Sequence, residues 1–122
     1  MGHVVGVGGL FWRADDPDGL RGWYADTLGI VDSPGGAWRQ EAGPTVIAPF
    51  TRDSEYFGLP QQFMVNFRVR GMSELLEELR GRGVEVLREE HDDGLGDFAW
   101  ILDPEGNRIE LWEPPGDSET TN

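Results

Sequence analysis

The chain has 122 residues, 23 of them acidic and 10 basic, a formal net charge of −13, and neither cysteine nor lysine. That length predicts one compact domain, and the missing residue types exclude disulfides, thiolate metal sites, a cysteine nucleophile and Schiff-base chemistry. Residues 85–122 hold twelve acidic and two basic side chains, a net −10; such a field repels phosphate backbones, argues against nucleic-acid binding and would attract a cationic small molecule. No run of 18 apolar residues is present, so no membrane span is expected. With no basic stretch followed by an apolar core at the start, the expected location is the cytoplasm.

In chain order, residues 4–13 read as a strand. Gly6, Gly8 and Gly9 resemble a phosphate loop only superficially, because no helix starts on them and no lysine follows. Asp15, Asp16, Pro17 and Asp18 form a helix start, with an Asp cap and acid beside the helix dipole. Leu20, Trp23, Tyr24 and Leu28 fall at helical spacing, and Gly29 is the stop. Residues 37–41 and 45–48 predict two strands joined at Ala42-Gly43-Pro44. Residues 49–62 lack a period, and 51–61 are read as a connector. A strand follows at 63–70, then a helix from Ser73 to Gly81 or Gly83 with Leu75, Leu76 and Leu79 inward. Residues 84–88 predict a strand and 89–96 an acidic loop. Residues 98–102 and 108–112 predict a hairpin across Asp103-Pro104-Glu105-Gly106-Asn107, and residues 115–122 a frayed tail.

The pattern runs twice, once from about residue 4 to 50 and again from about 62 to 114. Two units too small to bury a core alone can bury one jointly, with a ligand cleft between them. Strand alternation then sorts the side chains. Gly9, Phe11 and Arg13 share one face of the first strand, and Met64, Asn66 and Arg68 share one face of the strand at 63–70, opposite Val65, Phe67 and Val69. The apolar set should meet the helix and the polar set the cleft. A hairpin pairing Asp103 with Asn107 puts Trp100 opposite Glu110 and Phe98 opposite Trp112. Arg108, Glu110 and Trp112 then line one surface with Phe98 and Trp100.

Glu110 is the candidate catalytic residue, as a base or as a cation-binding carboxylate; the alternative is a structural pair with Arg68 or Arg108. The candidate ligand-binding residues are Phe11, Arg13, Trp38, Gln40, Asn66, Arg68, Phe98, Trp100, Arg108 and Trp112. Asn66 and Arg68 need partners, either a ligand or Glu110 and Gln40. Trp12 and Trp23 are read as core, while Trp38, Trp100 and Trp112 suit an aromatic wall. Tyr56 and Phe57 are read as rim or dimer contact.

Gly-Leu-Phe-Trp-Arg-Ala-Asp-Asp-Pro (9–17), leading to Trp-Tyr-Ala-Asp-Thr-Leu-Gly (23–29), resembles the opening of a vicinal oxygen chelate protein. This is the superfamily of glyoxalase I, bleomycin-resistance proteins and extradiol dioxygenases. Asp-Pro-Glu-Gly-Asn-Arg-Ile-Glu-Leu-Trp-Glu-Pro (103–114) is similar to its closing hairpin. The resemblance implies an α+β fold of two repeated βαβββ modules forming a curved mixed sheet around a central cleft, in a single domain over 1–122. It also implies a divalent metal held from first and last strands of each module. Carried over here, those positions fall on Gly9, Met64, Ile47 or Ala48, and Glu110. Only Glu110 offers a suitable donor. His3 lies six residues from Gly9, and His91 sits in the acidic loop.

These readings favour a small-molecule-binding protein of the glyoxalase/bleomycin-resistance type. Its ligand, cationic or aromatic, would sit in an aromatic, acidic cleft without metal or other cofactor. The alternatives are a metal-dependent lyase or dioxygenase of the same superfamily, and a metal-free enzyme with Glu110 as general base. A homodimer is expected, since open sheet edges and aromatic rims favour it.

Overall fold

The computed structural model describes residues 2–30, 37–58 and 60–116. Its elements run α1 (Pro17–Leu28), β1 (Val65–Arg68), α2 (Met72–Gly81), β2 (Val86–Asp92), β3 (Gly96–Leu102) and β4 (Arg108–Glu113). The strands form one open sheet in the order β1-β4-β3-β2. β1 and β4 are parallel, and β2-β3 and β3-β4 are antiparallel. The architecture is mixed α+β, and residues 65–113 alone make a β-α-β-β-β unit. No helix among the described residues is long and apolar enough to cross a membrane.

Helix α1 begins and ends where its sequence signals stand. The Asp16 carboxylate accepts from Gly19 N at 3.1 Å, Pro17 opens the first turn, and Gly29 closes the helix at φ 71°. That left-handed conformation is cheap only without a Cβ. In α2, leucine spacing turns Leu76 and Leu79 inward. Both helices lie on one sheet face, where Leu20 and Tyr24 of α1 and Met72, Leu76 and Leu79 of α2 meet Ala99, Ile101, Ile109 and Leu111. Leu79, Ile101, Ile109 and Leu111 are fully buried; each contributes about 1.5–3 kcal/mol of transfer free energy.

The β3-β4 hairpin also anchors both helix starts. The Glu105 carboxylate accepts from Asp15 N and Asp16 N at 2.7 and 2.8 Å, ahead of α1. The Glu113 carboxylate accepts from Gly71 N and Met72 N at 3.0 and 2.9 Å, at the start of α2. Such a carboxylate satisfies orphan N–H groups and meets the positive end of the helix dipole, each worth about 1 kcal/mol. Asp103 completes the junction. Its Oδ1 accepts from the backbone N–H of Glu105 and Asn107, and its Oδ2 from the Asn107 amide and the Tyr24 hydroxyl. Burial, then the bond to Asp103 and its charge, push the Tyr24 phenol well above its ordinary range.

Several expected elements differ. Residues 4–13, 37–41 and 45–48 are not strands: they run without ladder bonds, with Val4, Val5, Phe11 and Ile47 more than three-quarters exposed. A strand needs both a paired edge and a partner for its apolar face, and these stretches pair with neither edge strand of the sheet, β1 or β2. The acidic loop at 89–96 is mostly strand, because β2 continues to Asp92 and turns tightly into Gly96. A Cβ at Gly96 would stand 2.1 Å from the Glu113 carbonyl oxygen, so only glycine fits there. The strand at 63–70 is shorter than expected, covering Val65–Arg68. Of the tail, residues 117–122 lie outside the described residues.

Candidate functional site

The face of the sheet opposite the helices carries the chemistry. Register aligns Asn66 with Glu110, Glu110 with Trp100, and Trp100 with Arg88, one row across all four strands. The next row is Arg68, Trp112, Phe98 and Glu90. On β1, β3 and β4 alternation produces this: the same strands turn Phe67, Ile101, Ile109 and Leu111 to the helices.

Glu110 is 8% exposed, and both of its oxygens are held. The Tyr56 hydroxyl donates to Oε2 at 2.9 Å and the Asn66 amide to Oε1 at 3.0 Å. Among the described residues no cationic side chain lies within 4.0 Å of it, so its two donors are neutral. Burial first, then the hydrogen bond to Glu110 and its charge, push the Tyr56 phenol up to about 12. Tyr56 therefore stays protonated, and a donor, throughout the physiological range. Its ring meets Trp100 edge-on at 6.0 Å and Phe50 at 5.2 Å. Trp100, Phe98 and Trp112 form a stacked wall with centroids 6.0 and 6.3 Å apart. The Arg88 guanidinium lies over Trp100, 4.8 Å from the ring centroid. The half-buried Phe98 and Trp112 are the accessible part of that wall.

Of the candidate residues, Asn66, Phe98, Trp100, Glu110 and Trp112 come together here. Arg68 turns away and donates to the Glu41 carbonyl at 2.9 Å. Arg108 donates to the Tyr56 carbonyl at 3.0 Å, so neither arginine pairs with Glu110. Gln40 is exposed and does not reach Glu110. Trp38 stands against Phe67, a core-side ring, at 6.1 Å. Phe11 and Arg13 line a separate groove beside α1. Tyr56, expected at the rim or in a dimer contact, instead holds Glu110 directly, and Arg88 was not expected on this face. Tyr56 sits in an aperiodic connector, and Arg88 follows a register irregularity between Val86 and Arg88 that shifts the strand's alternation.

The glyoxalase-like domain family matches residues 9–112. The chain belongs to that family. This glyoxalase-like domain is thus a member of the vicinal oxygen chelate superfamily. No curated protein sequence matches it. Among solved structures it is similar to TnmS3, an antibiotic binding protein from Streptomyces sp. CB03234, at 23% identity over 93% of this chain and 99% of that one, with TM-score 0.62. It is also similar to a lactoylglutathione lyase from Agrobacterium tumefaciens, at 20% identity over 82% and 87%, with TM-score 0.52. A glyoxalase family protein from Enterococcus faecalis shares 26% identity, but the match spans only 52% of each chain, with TM-score 0.40. The TnmS3 and lyase likenesses establish the fold alone.

The divalent metal of the superfamily meets a poor donor set in this domain. Among the described residues no group of three or more His, Cys, Asp and Glu side chains lies close enough to hold an ion. Glu110 has a phenol and a carboxamide as its polar neighbours, and Ile47 is 77% exposed. One carboxylate does not satisfy a site that needs three or four protein donors. His91 lies on β2, exposed, its ring held by Asp97 at 2.5 Å and Asp93 at 2.8 Å. Those bonds hold its pKa above the ordinary histidine value.

Proposed function

We propose that this domain is a small-molecule-binding protein whose ligand is cationic and aromatic and sits against Glu110 without a metal. The observation that carries the reading is the Glu110 carboxylate, buried, held by two neutral donors and bordered by a stacked aromatic wall. Burial without a cationic partner is costly for a carboxylate, and a ligand cation would offset that cost while its ring meets Phe98 and Trp112. The fold shared with an antibiotic binding protein is consistent with such a role.

The test is calorimetric titration with benzyltrimethylammonium and with its neutral tert-butyl isostere. The cation should bind and the isostere should not. Glu110→Gln keeps the shape and removes the charge, and should weaken cation binding at least tenfold, about 1.4 kcal/mol. Equal binding by Glu110→Gln would end the reading.

The same proposal includes a homodimer, supported by the uncovered apolar side chains of Val4, Val5, Val7, Val46 and Ile47. Sedimentation velocity at micromolar concentration should show twice the 13.6 kDa chain mass. A single species at the chain mass would rule the dimer out.

A further inference from the structure

A groove of about 250 Å³ lies between α1, the segment before it and the start of β4, and its lining does not include Glu110. We infer that it is a second binding site, for a small aromatic carboxylate. Phe11, Trp12 and Phe63 contribute apolar walls, exposed by 88%, 38% and 47%. Arg13 and Arg108 contribute the charge. None of the residues lining it is acidic, although the chain carries 23 acidic side chains against 10 arginines.

Both arginines have donors to offer. Among the described residues neither has a carboxylate within ion-pair distance. Arg108 spends one of its five N–H groups on the Tyr56 carbonyl. A planar guanidinium with open donors matches a carboxylate in a fork geometry. The neighbouring acids are already committed: Glu105 to Asp15 N and Asp16 N, and Asp103 to Tyr24 and the hairpin turn. They do not compete for the guanidinium groups. The groove is smaller than a drug-sized pocket of roughly 300–1,000 Å³, which limits its occupant to one or two rings. The net charge of −13 repels anions at long range, so binding must come from these local contacts.

The probes are 2-naphthoate and the neutral 2-naphthamide, followed by calorimetry and by the Trp12 indole signal in ¹⁵N spectra. The acid should bind at least tenfold tighter than the amide and shift the Trp12 signal. Arg13→Gln and Arg108→Gln should each weaken the acid at least fivefold. Because Arg108 also holds the connector, Arg13→Gln, an exposed position, keeps the test decisive if Arg108→Gln fails to fold. Excess benzyltrimethylammonium should leave 2-naphthoate bound, since this groove does not include Glu110. Equal affinity for acid and amide, unchanged binding by Arg13→Gln, or displacement by the cation would each overturn the assignment.

Discussion

Asp103→Ala should lower the thermal unfolding midpoint by about 10–15 °C, a loss of about 3–4 kcal/mol. Asp103 is 5% exposed and accepts four hydrogen bonds. Removing its carboxylate leaves the Tyr24 hydroxyl buried without an acceptor and frees two backbone N–H groups of the hairpin turn. Hydrogen bonds to a charged group contribute about 1.5–3 kcal/mol each, and losses within one network are not additive, so the whole falls short of the sum. Tyr24→Phe should cost less, about 1–2 kcal/mol, because it removes one bond and keeps the ring against Trp12 at 5.7 Å. In the Asp103→Ala background Tyr24→Phe should cost almost nothing. Urea unfolding of the four proteins checks this, and additive losses would show that the Tyr24–Asp103 bond does not carry the effect.

Tyr56→Phe should bind benzyltrimethylammonium about tenfold more tightly than the native protein. The Tyr56 hydroxyl holds Glu110 Oε2 at 2.9 Å and so competes with a ligand cation for the carboxylate. A hydrogen bond to a charged acceptor is worth about 1.5–3 kcal/mol, and reclaiming part of that gives the tenfold gain. The ring's contacts with Phe50 and Trp100 remain, so the connector should keep its place. Calorimetric affinities for both proteins decide the point. Weaker binding by Tyr56→Phe would mean that the hydroxyl positions the ligand instead of competing with it.

What the sequence revealed depended on the range of the interactions concerned. Asp16, Pro17 and Gly29 bracket α1 through bonds a few residues long, and the structure places its ends there. The turn at 103–107 sets the register that puts Trp100 opposite Glu110 and Phe98 opposite Trp112, as expected. The two-sided alternation of β1 follows from the pleat, and it places Asn66 beside Glu110. Tyr56 was not legible as a Glu110 partner, because 54 residues separate them and nothing in the connector's pattern encodes its path. Arg88 was hidden by the irregularity before it. The apolar, β-branched and aromatic residues of 4–13 and 45–48 read as strands, but composition does not name the neighbour that pairs with them.

The two carboxylates that meet the helix starts have a bearing on synthesis. The acceptor for the N–H groups of Asp15 and Asp16 is Glu105, about 90 residues later in the chain. At roughly 5–20 residues per second, a ribosome needs about 5–20 s to make that stretch. During this interval α1 has neither its Glu105 anchor nor the β3-β4 surface on which Leu20 and Tyr24 rest, and a 12-residue helix is marginal alone. The β3-β4 pairing, by contrast, spans only the turn at 103–107. Leu20 and Tyr24 therefore stay uncovered until the last quarter of the chain arrives.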